Sequence, residues 1–82
     1  MIQFRSVEEN RYDVALKMIG KNIRSIRNSK GLSMEAVANE ANIEYRQLGR
    51  IERGEGNTTV ASLLKIADAL KVNIGAFFVV PD

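Results

Sequence analysis

The stretch SMEAVANEANIEYRQLGRIERG, residues 33–54, decides the fold. Ser33 is suited to accept a backbone N–H bond as the N-cap of a short helix, the second of the chain, whose Val37 and Ala38 face inward and which ends near Glu40. Asparagine tolerates positive φ, so Ala41-Asn42-Ile43 reads as a tight corner. From Glu44 to Arg53 the apolar Leu48 and Ile51 mark the buried side of a third helix that leaves Tyr45, Arg46, Gln47 and Arg50 outward. Gly54-Glu55-Gly56-Asn57 ends it. Two short helices around a sharp corner, the second basic and exposed, can lay a helix in the major groove of DNA.

The flanks supply the rest of a helical domain. Leu16, Ile19, Ile23 and Ile26 recur at helical spacing, with Lys17, Lys21 and Arg24 on the other side, which predicts a first helix over residues 8–29. Asn28-Ser29-Lys30-Gly31 stops it. Thr59 caps a fourth helix carrying Leu63, Ile66, Ala67 and Leu70, and Asn73 caps a last short one through Phe77. Ile2-Gln3-Phe4 and Phe77-Phe78-Val79-Val80 are β-prone and read either as a terminal strand pair, ended by Pro81, or as two frayed ends. The expected organisation is one domain over 1–82, with an arm at 1–7, the paired helices at 33–53 and a tail at 78–82.

Composition narrows the function. Eighty-two residues are too few for two domains, while 45% apolar and 27% charged residues suit a folded soluble chain. The chain has no cysteine and no histidine, which removes thiol and imidazole chemistry and the zinc sites built on those ligands. The carboxylates are scattered, so the reading is not an enzyme, with no cofactor and no metal. No run approaches the ~18 apolar residues of a membrane span and the N-terminus lacks a signal-peptide pattern, so the expected compartment is the cytoplasm and no membrane partner is expected. Charge is concentrated: residues 17–53 carry eight basic side chains against four acidic ones, whereas both flanks are slightly acidic. A basic centre points modestly to a polyanion.

Ile19-Gly20, Ile23, Arg27, Gly31-Leu32-Ser33, Val37-Ala38, the corner at Asn42-Ile43, Ile51-Glu52-Arg53-Gly54 and Leu63 to Leu70 together resemble the phage-repressor-like helix-turn-helix family, often called Cro/CI or XRE, over residues 17–78. The resemblance implies an all-α, five-helix domain with an extended first helix, its third helix entering the major groove. It implies base contacts from Tyr45, Arg46, Gln47 and Arg50. Arginine bonds bidentately to guanine and glutamine to adenine. It implies phosphate contacts near Ser33, Met34, Arg53, Asn57 and Thr58, and a structural salt bridge between Arg27 and Glu52. Three positions depart from the family pattern. Met34 replaces the usual glutamine, Glu44 stands where serine or threonine is common, and Gly49 lies inside the reading helix, as tolerated drift or to let a DNA strand approach closely.

Leu64, Ile74, Phe77, Phe78, Val79 and Val80 remain as apolar surface once the core is assigned, and are the expected dimer interface. The function this implies is a sequence-specific transcriptional regulator binding double-stranded DNA as a small homodimer on a pseudo-palindromic operator. Controller, repressor and antitoxin types all fit, with no effector domain and no small-molecule effector. The alternative is a protein-interaction module that kept the fold and lost DNA binding.

Overall fold

The computed structural model describes residues 2–80, with side chains over residues 12–80. Four α-helices and one 3-10 turn follow in order: α1 (Ile2–Ser29), α2 (Met34–Ala41), α3 (Tyr45–Glu52), α4 (Val60–Leu70) and the 3-10 turn Ile74–Phe78. The fold is all-helical, and α1 is longer than the spacing of its apolar residues predicts. Neither glycine nor proline interrupts the sequence before Gly20, so the helix continues back to Ile2 and residues 2–7 are not a separate arm.

Local chemistry sets the other boundaries. Ser33 Oγ accepts from the Ala36 N–H at 3.0 Å and Thr59 Oγ1 from the Ser62 N–H at 3.0 Å, so both caps are made by side chains. Asn42 takes the left-handed conformation at φ 57°. The next N–H, from Ile43, reaches back to the Ala38 carbonyl at 3.0 Å, which seals α2 and swings Ile43 onto the core. Lys71 does the same for α4 at φ 59°, an end that nothing in a lysine advertises.

α1 packs across α3 and the 3-10 turn, while α2 packs on α3 and α4. Ile23, Val37, Leu48, Ile66, Leu70 and Phe77 are fully buried where these elements meet. Phe77, expected at a dimer surface, is instead the largest side chain of the core and 0% exposed. The short last element turns its ring inward, and Ile74, which shares its face at i, i+3 spacing, also packs against the core.

The terminal strand pair is not formed, and among the described residues there is no strand. Ile2, Gln3 and Phe4 lie within α1, where backbone groups are used along the helix. At the other end Asn22 holds the chain: its Nδ2 donates to the carbonyls of Phe77 and Val79, both at 2.9 Å. Pro81 lies outside the described residues.

The tightest crossing is at Gly20. A Cβ there would press on the Ile51 carbonyl oxygen and sit 2.5 Å from the Glu52 oxygen, so only glycine lets α1 lie against the end of α3. Gly20→Ala is expected to destabilise the fold by about 1–3 kcal/mol through forced displacement of backbone, read as a lower urea midpoint at unchanged slope.

Candidate nucleic-acid interface

α3 presents two unlike faces because apolar and polar residues alternate at helical spacing. Leu48, Ile51 and Glu52 are buried, and Tyr45, Arg46, Gln47 and Arg50 are exposed. Arg46, Gln47 and Arg50 line one open concavity together with Glu55 and Asn57. Tyr45 looks the other way, into a groove against Glu35, Ala38 and Asn39 of α2. The four residues expected to meet bases thus divide into two arginines and an amide beside the turn after α3 and one aromatic ring beside α2.

The inward side is fixed by charge. Arg27 Nε donates to Glu52 Oε2 at 2.7 Å and Arg27 Nη2 to Glu52 Oε1 at 3.0 Å, a two-pronged pair with both residues buried. Arg27 Nη1 also donates to the Leu32 carbonyl at 3.0 Å. The hydrogen bond to Glu52 holds the Arg27 guanidinium above its ordinary pKa despite burial, so it stays charged at any working pH. Arg24, which the sequence reading placed on the solvated side of its helix, adds a weaker contact to Glu52 at 3.5 Å. Helical spacing puts Arg24 one turn below Arg27, the signal that could have found it.

The residues expected at phosphate differ in what they offer. Ser33 is exposed, and its Oγ, while accepting from Ala36, keeps a hydrogen to donate. Asn57 and Arg53 are exposed. Met34 is half-buried, packed against the core, so it brings only its backbone to this face. Thr58 Oγ1 is buried without a hydrogen-bond partner among the described residues, so its hydroxyl does not face a phosphate.

Gly49 also has a packing reason. A Cβ there would meet Arg53 Nη1 at 3.1 Å and the Met34 methyl at 3.4 Å, so those side chains close over the helix where a larger residue would stand. The Arg53 guanidinium is in turn held by Glu55, with Nε–Oε2 at 3.0 Å and Nη2–Oε1 at 3.3 Å. Hydrogen bonding to Arg53, with the field of Arg50 added, keeps the Glu55 carboxyl below the usual carboxylate range. The pair therefore persists at neutral pH and is lost only as pH falls through that lowered value. Arg50 arches over the same turn, its Nη2 2.8 Å from where a Cβ on Gly56 would lie. Glu44, the N-cap residue of α3, makes no side-chain cap bond, which leaves its carboxylate beside the positive end of the helix.

A short helix projecting arginines and an amide from a core-anchored inner face, preceded by a second helix across a tight corner, defines a helix-turn-helix protein. The helix-turn-helix family HTH_3 matches residues 23–77, and the chain belongs to it. An uncharacterized HTH-type transcriptional regulator of Rickettsia conorii, RC0668, is 40% identical over 60 residues, 73% of this chain and 48% of that one. The control protein C.SmaI of Serratia marcescens is 33% identical over 58 residues, 71% of this chain and 69% of that one. The restriction-modification controller protein C.AhdI of Aeromonas hydrophila superposes with a TM-score of 0.75 at 33% identity, covering 77% of this chain and 96% of that one. The chain thus spans about half of the rickettsial relative and most of the two controller proteins. Among the described residues no helix is long and apolar enough to cross a membrane.

Breaking the buried pair on one side is expected to be costly: Glu52→Gln loses about 3–5 kcal/mol by chemical denaturation, because a buried guanidinium is left without its counter-charge. Replacing both partners, Arg27→Met with Glu52→Leu, is expected to lose much less.

Proposed function

We propose that this DNA-binding regulator works in the cytoplasm as a homodimer on a pseudo-palindromic operator, in the manner of a controller or repressor. The observation that carries the reading is the outer face of α3, where Arg46, Gln47 and Arg50 share one concavity while Leu48, Ile51 and Glu52 lock the helix from behind. In this reading Arg46 and Arg50 are the guanine-seeking groups and Gln47 the adenine-seeking one, with Tyr45 meeting a thymine methyl or a phosphate from the α2 side. Ser33, Arg53 and Asn57 take phosphates through side chains, and Met34 and Thr58 through backbone only. Such contacts position without specifying. The likeness to C.SmaI and C.AhdI favours the controller type.

A dimer fits the surface that remains. Leu64, Phe78, Val79 and Val80 are 45%, 48%, 60% and 72% exposed, and Ile74 lies half-buried at their edge. A two-fold pairing through these side chains would cover them and present two copies of α3 about one helical turn, ~34 Å, apart.

Binding to a palindromic duplex is expected to fall steeply with salt. A log–log slope near −5 corresponds to about six neutralised phosphates. Arg50→Ala should lose about tenfold or more at a defined guanine while barely changing affinity for random duplexes. Equal losses on both would move Arg50 to the phosphates, and a wild-type protein with no salt-dependent duplex binding would favour the interaction-module reading. Phe78→Glu is expected to give folded monomers in sedimentation that bind a half-site weakly. A variant still dimeric at micromolar concentration would remove this face from the interface.

A further inference from the structure

We propose that Ser62, on α4, is a positioning residue that aims Gln47 and so sets how strictly one base pair of the operator is read. Gln47 Nε2 donates to Ser62 Oγ at 3.1 Å, and among the described residues this is the only side-chain hydrogen bond between α3 and α4. Ser62 Oγ is itself held: Thr59 Oγ1 donates to it at 3.1 Å while accepting the Ser62 N–H at 3.0 Å. The cap of α4 therefore extends, through one hydroxyl, onto the reading face of α3.

The chemistry of the amide makes this consequential. A glutamine side chain has two N–H donors and one carbonyl acceptor. Ser62 takes one donor. The remaining N–H and Oε1 are the pair that adenine N7 and N6 require. A free glutamine on an exposed helix surface samples many rotamers and can turn its amide over to accept where it should donate. Fixing the amide on a helix that does not itself read bases removes much of the rotamer freedom before DNA arrives, and with Thr59 Oγ1 already donating to Ser62 Oγ the observed contact has Gln47 as donor. Ser62 makes no base contact in this scheme and acts only through Gln47.

The inference rests on the reading of α3 as the DNA-reading helix, and its test separates the two. The wild-type chain and the variants Gln47→Ala, Ser62→Ala, Ser62→Thr and the double alanine variant are compared on a duplex library randomised one base pair at a time. Ser62→Ala keeps the helix cap, since Thr59 accepts from the backbone N–H, and alanine is a better helix former than serine, so folding is preserved. The expected result is that Gln47→Ala lowers discrimination at one base pair by about tenfold and Ser62→Ala by about threefold at that same pair. Ser62→Thr, which keeps the hydroxyl, should retain it, and the double variant should match Gln47→Ala alone. Ser62→Ala with full discrimination at the pair that Gln47→Ala erases, or with equal losses at every position, would overturn the role of Ser62 while leaving α3 as the reader. No preference in the wild-type protein would overturn the reading beneath it and the role of Ser62 together, and a preference that Gln47→Ala leaves unaltered would overturn the role of Ser62 while leaving Arg46 and Arg50 as readers.

Discussion

The rest of the structure depends on one buried ion pair. Arg27 sits on α1, Glu52 at the end of α3, and the same guanidinium holds the Leu32 carbonyl in the turn before α2. Three segments are thereby fixed by one planar group whose donors point in set directions. Desolvating two charges is unfavourable, and full satisfaction of the carboxylate by two Arg27 donors and a fringe contact from Arg24 offsets it. What this arrangement contributes is orientation: α3 can neither roll nor slide without breaking a buried charge–charge contact.

With the inner side held, the outer side is free to be polar. Several polar groups on that surface have defined neighbours. Arg53 is tied to Glu55, Arg50 lies over the Gly56 turn, and Gln47 is tied to Ser62. Gln47 and Arg53 are thus held by neighbours outside α3, at the start of α4 and in the turn that follows the helix. A carboxylate at Glu55 among these arginines lowers the positive potential of that surface.

The helices and the corner at Asn42 were legible in the sequence because each rests on local chemistry: a capping hydroxyl, a helical stripe of aliphatic residues, a residue tolerant of positive φ. The Arg27–Glu52 pairing came from resemblance rather than from spacing, since nothing local joins residues 25 positions apart. Terminal regions read less well. A β-prone run such as Ile2-Gln3-Phe4 becomes helical when it continues an uninterrupted helix, and Phe77 turned inward because the elements above it left a space that only tertiary packing defines. Side-chain ties such as Gln47 to Ser62 and Arg53 over Gly49 were invisible for the same reason. They join segments whose approach is set by the core, and no periodicity records them.

The most direct test of DNA reading by the outer face of α3 is the amide chemical-shift footprint of isotope-labelled protein titrated with a short palindromic duplex. Shifts are predicted to gather at Ser33 and Met34, along Tyr45 to Arg50 and at Arg53 to Asn57, with the buried inner positions moving little. Shifts confined to Leu64 and Phe78 to Val80, with α3 silent, would contradict it.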